Sequence, residues 1–147
     1  MKVLCIIPAR YASTRLPGKP LRDIAGKPMI VRVYERAVRA KRVQDVVVAT
    51  DDERIRAAVE EYGGRAVMTR ADHATGTDRI AEVAEKMADY DLIINVQGDE
   101  PLIDPAVIDA LVEPFLTDEN LPMATVKTLL VDVMEIANPN NVKVITD

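Results

Sequence analysis

The chain has 147 residues, of which 48% are hydrophobic and 29% charged, and its formal net charge at pH 7 is -5. The length is that of one domain with its own core, and the composition excludes a disordered chain and a low-complexity repeat. No apolar run approaches the roughly 18 residues of a membrane-spanning helix, and the sequence becomes polar at Arg10, too early for a secretory signal.

The first predicted strand is the continuous apolar run from Val3 to Ile7, which is followed by Pro8. Such a run is typical of a strand that is buried on both faces of a sheet. It contains Cys5, the one cysteine of the sequence, which we expect to be an unreactive core thiol. Because a single cysteine forms no internal disulfide, we expect a reducing, cytoplasmic setting.

The remaining sequence alternates predicted strands with predicted helices. Short runs rich in Val and Ile predict strands at 46–49, 66–68, 92–96, 123–128 and 142–145. Apolar residues at helical spacing predict four helices. The first has Pro28 in its first position, and the second has Thr50 or Asp51 as its cap and Gly63 at its end. The third follows Thr77, and the fourth follows Asp104. The alternation implies βαβ crossovers, and hence a mostly parallel twisted sheet with helices on both faces, an α/β nucleotide-binding architecture.

Positive charge is concentrated at the start of the sequence, where residues 1–42 hold 11 Lys or Arg against 2 Asp or Glu. This asymmetry favours a small anionic ligand near the N-terminus, whereas the overall pI of about 5.0 argues against broad binding of nucleic acid. Arg32, Arg36 and Arg39 share the outer face of the first predicted helix, where we expect solvated charges.

Three polar loops follow the carboxyl ends of predicted strands, at residues 8–20, 70–79 and 97–101. In open α/β sheets, ligands bind in the crevice outside that edge. We therefore expect the side chains of these loops to share one crevice.

The loop at 8–20 carries the cations Arg10, Arg15 and Lys19 and the hydroxyls of Ser13 and Thr14. A triphosphate requires fixed cations and backbone N–H groups, so the loop suits a phosphate site. It contains neither GxxxxGK[ST] nor GxGxxG, which excludes a Walker loop and a dinucleotide fingerprint. Solvated loop cations are the equally open alternative.

The other two loops each allow two interpretations. Asp99 ends a buried strand, where its carboxylate is suited to holding Mg²⁺ beside phosphates, but a Gly-Asp pair also forms simple turns. Thr75 to Thr77 precede a helix and present hydroxyl and backbone groups to a base or sugar, or form a capped helix start with Asp78 in the first turn. His73 is the only histidine, which excludes a metal cluster built on histidines.

Taken together, the loops resemble the 3-deoxy-manno-octulosonate cytidylyltransferases, also called CMP-Kdo synthetases. Residues 7–21 (IPARYASTRLPGKPL) resemble the N-terminal signature of that family. Residues 73–79 (HATGTDR) resemble its HxSGTDR segment, with Thr75 in the place of the usual serine, and residues 95–101 (NVQGDEP) resemble its metal-binding strand end. Residues 138–144 match a later segment of the family less closely.

The resemblance implies a reaction in which a Kdo hydroxyl attacks the α-phosphorus of CTP, pyrophosphate leaves, and CMP-Kdo forms for lipopolysaccharide synthesis. It implies a fold like that of the nucleotide-diphospho-sugar transferases, of which residues 1–147 are the nucleotide-binding portion of a single domain. The implied catalytic residues are Arg10, Lys19 and Asp99, and Asp99 would also hold Mg²⁺. The implied nucleotide-binding residues are Ala9, Arg10, Ser13, Arg15, Lys19, Thr75, Gly76, Arg79 and Gln97. The implied partners are CTP and Kdo, and neither nucleic acid nor a membrane is implied. The resemblance also implies a homodimer for full-length members of the family.

Members of the family continue well beyond the position that matches residues 142–147, and their further portion carries Kdo contacts, a second metal carboxylate and much of the dimer surface. We therefore expect a fold that is incomplete at the C-terminus, in which CTP binding outlasts turnover. We also expect an open sheet edge and uncovered apolar surface, and with them self-association or marginal stability. The alternatives are a related sugar nucleotidylyltransferase of the CMP-sialic acid synthetase type and a non-catalytic CTP-binding fragment.

Overall fold

The computed structural model describes residues 1–12 and 16–144. Its strands are β1 (Val3–Ala9), β2 (Asp23–Ile24), β3 (Lys27–Pro28), β4 (Asp45–Thr50), β5 (Ala66–Met68) and β6 (Leu92–Asn95). Its helices are α1 (Met29–Ala37), α2 (Glu53–Glu61), α3 (Gly76–Lys86), α4 (Pro105–Thr117) and α5 (Val133–Ala137), and a single 3₁₀ turn spans Lys19–Leu21. No helix in this described part of the chain has the length and apolar character of a membrane span.

Four of the strands form one parallel sheet in the order β5-β4-β1-β6. Strand β1 lies inside the sheet, where Cys5 is opposite Val46 of β4 on one side and Ile94 of β6 on the other. The short strands β2 and β3 pair separately as an antiparallel hairpin between β1 and α1. The predicted α/β fold with a mostly parallel sheet is confirmed.

Alternate residues of β1 pack against helices on opposite faces of the sheet, as the period of two in a strand requires. Val3, Cys5 and Ile7 belong to a core cluster that includes side chains of α1, α2 and α4. Leu4 and Ile6 belong to a second cluster with side chains of α3. The prediction of helices on both faces is therefore confirmed.

The helix starts agree with the sequence at some positions and differ at others. Asp104 caps α4 as predicted, and its side chain accepts a 3.0 Å hydrogen bond from the Ala106 N–H. The predicted cap of α2 at Thr50 or Asp51 is wrong, because Asp52 caps this helix. Thr50 is instead the buried last residue of β4, and its hydroxyl oxygen accepts a 3.2 Å hydrogen bond from the Asp52 N–H. Pro28 precedes α1 as its cap and is not its first residue.

The strand predicted at 123–128 is wrong, because these residues pair with no strand of the described sheet. Residues 142–144 are also outside the sheet, and residue 145 lies outside the described residues. An apolar run forms a strand only when a neighbouring strand supplies its backbone hydrogen bonds and a packed face covers it. Among the described residues no strand pairs with either segment, and no packed face covers them, since Met123 is 78% and Val142 91% exposed. The expected uncovered apolar surface is thus found in this segment.

Two of the arginines on α1 do not behave as the expected solvated charges. The Arg32 Nε donates a 3.0 Å hydrogen bond to the Ile24 carbonyl, and the Arg36 Nε donates one of 2.8 Å to the Ile103 carbonyl. Arg32 therefore ties α1 to the end of β2, and Arg36 ties it to the segment that precedes α4. Arg39 is exposed, as predicted.

Candidate active site

A cleft of about 600 Å³ lies at the carboxyl edge of the parallel sheet. It is lined by residues from the first and third polar loops, which follow β1 and β6. Five of the residues singled out from the sequence line it: Ala9, Arg10, Lys19, Gln97 and Asp99. Met29 also lines it, which sequence analysis missed. The available signal was its place at the start of α1, since a crossover helix begins near the carboxyl edge of the strand it follows.

Two opposite charges meet in this cleft. The ammonium nitrogen of Lys19 lies 2.7 Å from the Asp99 Oδ2. The Lys19 side chain is 40% and the Asp99 side chain 52% exposed, so both groups are accessible to a ligand that enters the cleft. The pair therefore combines a cation that suits phosphate oxygens with a carboxylate that suits a divalent metal ion.

The position of Asp99 depends on the glycine that precedes it. A Cβ atom at Gly98 would lie 2.7 Å from the Pro8 carbonyl oxygen, which is closer than real Cβ atoms approach. Only glycine lets the segment after β6 pack this tightly against the end of β1. This close approach places the Asp99 carboxylate beside the Lys19 ammonium.

The position of Lys19 depends on a turn at the base of the first loop. Gly18 has a φ of +71°, a conformation that favours glycine, and its N–H donates a 3.0 Å hydrogen bond to the Tyr11 carbonyl. Arg10 precedes Tyr11 and Lys19 follows Gly18, so the bond closes the loop at its two cation-bearing ends. Ser13 and Arg15, which were also singled out, lie outside the described residues.

A second hollow of about 210 Å³ adjoins the cleft, and Pro8, Ala9, Arg10 and Gln97 line both. Its other wall is the second polar loop and the start of α3, and it includes Thr75, Gly76 and Arg79. The three loops therefore meet at one edge of the sheet, as expected.

Thr75 and Asp78 form the capped helix start that was one of the two interpretations. The Thr75 hydroxyl oxygen accepts a 3.1 Å hydrogen bond from the Asp78 N–H, and the Asp78 carboxylate accepts one of 3.0 Å from the Thr75 N–H. The Thr75 hydroxyl also donates to this carboxylate at 2.8 Å, which lowers the pKa of Asp78 below its ordinary value. A role of Thr75 towards a nucleotide stays a prediction.

Arg79 faces the hollow, but its guanidinium is held by the protein. Only 4% of the residue is exposed, and the guanidinium lies 3.1 Å from the Asp51 Oδ1. It also donates to the Thr69 hydroxyl and, at 3.4 Å, to the Arg70 carbonyl. The arrangement ties the start of α3 to the ends of β4 and β5, and direct contact with a nucleotide stays a prediction.

His73 lines the same hollow and contacts Glu82 of α3. The Glu82 carboxylate also accepts hydrogen bonds from the Lys86 ammonium at 2.6 Å and from the Arg70 N–H at 3.1 Å. These bonds, that of Lys86 first and then those of His73 and Arg70, lower the pKa of Glu82 to about 2. His73 thus anchors its loop to α3, a structural contact that one sequence alone does not reveal.

The sequence profile that describes cytidylyltransferases matches residues 4–147. The chain belongs to the cytidylyltransferase family. It is 58% identical over its whole length to the 3-deoxy-manno-octulosonate cytidylyltransferase of Geotalea daltonii and 56% identical to that of Fusobacterium nucleatum subsp. nucleatum. It spans 58% and 60% of the lengths of these two relatives. The resemblance to this family, drawn from three loops, is confirmed.

Solved structures agree with the fold of this cytidylyltransferase chain. A CMP:2-keto-3-deoxy-manno-octonic acid synthetase complexed with CTP superimposes with a TM-score of 0.80 and is 53% identical. The match covers 83% of this chain and 50% of that one. A cytidylyltransferase from Leptospira borgpetersenii serovar Hardjo-bovis gives a TM-score of 0.72 at 31% identity, over 82% of this chain and 51% of that one.

The donor groups of the cleft fit a magnesium ion that arrives with a nucleotide. Within residues 1–12 and 16–144, no three His, Cys, Asp or Glu side chains gather as a metal cage. Asp99 supplies a half-exposed carboxylate in the cleft. Mg²⁺ commonly takes one or two carboxylates and completes its shell with water and substrate phosphates, so a single accessible carboxylate is compatible with such an ion, and its binding here stays a prediction.

Proposed function

We propose that the chain forms the CTP-binding part of an enzyme that transfers CMP from CTP to 3-deoxy-D-manno-octulosonate (Kdo) and releases pyrophosphate. The observation that carries the proposal is the cleft in which Lys19 and Asp99 lie 2.7 Å apart at the carboxyl edge of the sheet. Two further facts support it: the relatives are named as Kdo cytidylyltransferases, and the synthetase of similar fold is complexed with CTP. The names of the relatives favour Kdo over sialic acid as the sugar acid.

In the proposed reaction, a hydroxyl oxygen of Kdo attacks the α-phosphorus of CTP, and the bond from that phosphorus to the pyrophosphate oxygen breaks. Negative charge grows on the leaving pyrophosphate. Arg10 and Lys19 bind the triphosphate and stabilise this charge, because fixed cations in a partly enclosed site act without reorganisation of solvent. Since exposed ion pairs contribute only about 0–1 kcal/mol, Lys19 can exchange Asp99 for phosphate oxygens at little cost.

Asp99 would hold Mg²⁺ beside the phosphates of CTP, and the bound ion would neutralise part of their negative charge. Asp99 is the one carboxylate among the described residues that line the cleft and the adjoining hollow. Its half-exposed side chain remains within reach of a ligand that displaces Lys19.

The adjoining hollow would take the nucleoside end of CTP. Its lining combines backbone and polar groups suited to a sugar and a base, which belong to Ala9, Thr75, Gly76, Arg79 and Gln97. Ser13 and Arg15 belong to the same proposed nucleotide set through the resemblance of their loop. The product would serve lipopolysaccharide synthesis in the cytoplasm, and the whole enzyme would act as a homodimer.

A second candidate function is CTP binding without turnover. The observation that favours it is that Asp99 is the single carboxylate among the described residues of the cleft and the adjoining hollow. The resemblance to the family implies a second metal-binding carboxylate in the complete site. Under this alternative the chain binds CTP and Mg²⁺ but does not release pyrophosphate.

The two candidates are tested by calorimetric titration of the purified chain with CTP, with and without Mg²⁺. We expect Mg²⁺ to strengthen binding, Asp99→Asn to remove this effect, and Lys19→Met to weaken binding in both conditions. The matched controls are Asp89→Asn and Lys41→Met, exposed residues that precede β6 and β4 at the opposite edge of the sheet. Absence of CTP binding, or equal binding in all variants, would overturn the proposal.

Turnover is measured as pyrophosphate release from CTP and Mg²⁺ in the presence of Kdo or, in parallel, of sialic acid. Release that requires Kdo supports the transferase. Binding of CTP without release under either condition supports the second candidate, and release that requires sialic acid assigns a different sugar acid.

A further inference from the structure

The loop with the two proposed triphosphate cations is closed at its base by Tyr11 and Gly18. Besides the backbone hydrogen bond between them, the Tyr11 ring covers the glycine, because a Cβ atom at Gly18 would lie 3.1 Å from ring carbons of Tyr11. The ring therefore packs on the turn from which Lys19 projects, while the Tyr11 backbone continues directly from Arg10. Tyr11 is therefore in contact with the backbone next to both cations.

A residue from outside the loop covers the Tyr11 ring. The guanidinium carbon of Arg54, in the first turn of α2, lies 3.4 Å from the ring centroid. This is the separation of a stacked guanidinium on an aromatic face, which attracts through the ring quadrupole and through dispersion. Arg54 itself does not line the cleft.

Asp52 fixes the guanidinium in this orientation. Its Oδ1 accepts a 2.9 Å hydrogen bond from the Arg54 Nε, and its Oδ2 accepts one of 2.6 Å from the Arg54 Nη2. The Asp52 Oδ1 also accepts from the Arg54 N–H at 3.0 Å as the cap of α2, and the bonds from Arg54 hold the pKa of Asp52 below its ordinary value. This bidentate hydrogen bond restricts rotation of the planar guanidinium group, so Arg54 is held in a fixed orientation against the Tyr11 ring.

We propose that Asp52, Arg54 and Tyr11 form a clamp that positions Arg10 and Lys19 for the triphosphate, with Arg54 as a positioning residue that does not touch the nucleotide. This inference rests on the proposed function. The clamp orders Arg10 and Lys19 before the ligand arrives, so that binding does not have to supply the entropy of ordering these two residues. Its loss weakens contacts with the phosphates and leaves the nucleoside contacts in the adjoining hollow in place.

The test compares binding of CTP and of CMP, in excess Mg²⁺, to variants of the full chain. Arg54→Met and Tyr11→Leu remove the stack, whereas Tyr11→Phe preserves the aromatic face. We expect the first two to lose about five- to tenfold in CTP affinity and less than about twofold in CMP affinity, and Tyr11→Phe to stay within about twofold of the wild type for both. The matched control is Arg56→Met on the same helix, whose guanidinium binds Glu53 at 2.8 Å.

Equal losses for CTP and CMP would show a general structural defect and overturn the clamp, as would unchanged CTP affinity in Arg54→Met. Thermal unfolding of Arg54→Met and Arg56→Met establishes that the compared proteins are folded. A wild-type chain that binds no CTP would contradict the proposed function and not the clamp. In that case the exchange rate of the Gly18 amide decides: exchange that is faster in Arg54→Met than in Arg56→Met supports the clamp, and equal exchange overturns it.

Discussion

The ammonium of Lys19 and the carboxylate of Asp99 form an ion pair of 2.7 Å although 80 positions separate them in the chain. The pair forms because β1 and β6 are neighbours in one parallel sheet, so the loops that follow them leave at the same edge. Its groups are about half exposed and face a cleft. Such a pair is better suited to ligand binding than to holding the fold together.

The first prediction separates these two roles. We expect Lys19→Met and Asp99→Asn each to change the free energy of unfolding by less than about 1 kcal/mol, because exposed ion pairs contribute little. In the same proteins, CTP affinity in Mg²⁺ should fall by about tenfold or more, since charge-assisted contacts with phosphate contribute about 1.5–3 kcal/mol. Urea unfolding and calorimetry measure the two effects. A stability loss above about 2 kcal/mol with little loss of affinity would make the pair structural.

The second prediction concerns the close approach at Gly98. In Gly98→Ala the new methyl group would meet the Pro8 carbonyl at 2.7 Å, and neither backbone segment yields easily. We expect a loss of about 1–3 kcal/mol in urea unfolding and a lower CTP affinity, because Asp99 is displaced. Gly76→Ala is the control: its Cβ would lie 3.4 Å from the nearest atom, an ordinary contact, so its stability should be unchanged or up to about 1 kcal/mol higher. Equal effects of the two substitutions would contradict the packing argument.

The sequence predicts the buried strands of this fold well. A short run such as Val3 to Ile7 is apolar on both faces, which is the pattern of a strand inside a parallel sheet. The rule that ligand loops leave the carboxyl edge of a parallel sheet then predicts that Lys19 and Asp99 meet. The rule says at which edge the loops leave the sheet but not where their atoms lie. It therefore does not predict which oxygen Lys19 binds or that residue 98 must be a glycine.

Other features were beyond sequence patterns for physical reasons. An apolar run at 123–128 has the residue types of a strand, but pairing depends on a neighbouring strand that the pattern does not contain. The stack of Arg54 on Tyr11 joins residues from different elements and has no spacing that marks it. The buried pairing of Arg79 with Asp51 is of the same kind, since the sequence shows only an arginine near the start of a predicted helix.

The third prediction concerns that buried arginine. In Arg79→Met the partly buried Asp51 carboxylate loses its cation, and we expect a loss of about 2–3 kcal/mol in urea unfolding, since breaking a fully buried pair costs about 3–5 kcal/mol. Arg65→Met, which removes an exposed partner of Asp45, is the control and should cost less than about 1 kcal/mol. Adding Asp51→Asn to Arg79→Met should recover part of the loss. Similar costs for Arg79→Met and Arg65→Met would refute the structural role.

The fourth prediction concerns Cys5, which lies fully buried in β1. Burial raises the pKa of its thiol to about 12, so the reactive thiolate is scarce near neutral pH and is also inaccessible. We expect no reaction with an aromatic disulfide reagent in the folded protein and complete reaction of one thiol per chain in urea. Rapid labelling of the native protein, without loss of its circular dichroism signal, would contradict this.

The fifth prediction concerns acid stability through Glu82. The hydrogen bonds from Lys86, His73 and Arg70 lower its pKa to about 2, compared with 4.5 in the unfolded chain. Its contribution to the free energy of unfolding is therefore fully present above about pH 4.5 and is lost as the pH falls towards 2. We expect Glu82→Gln to be less stable than the wild type at pH 7 and the difference to shrink by about pH 3, in urea unfolding. Glu85→Gln, an exposed position on the same helix, should show little difference at either pH, and a gap at Glu82 that stays constant with pH would contradict the proposed ionic origin.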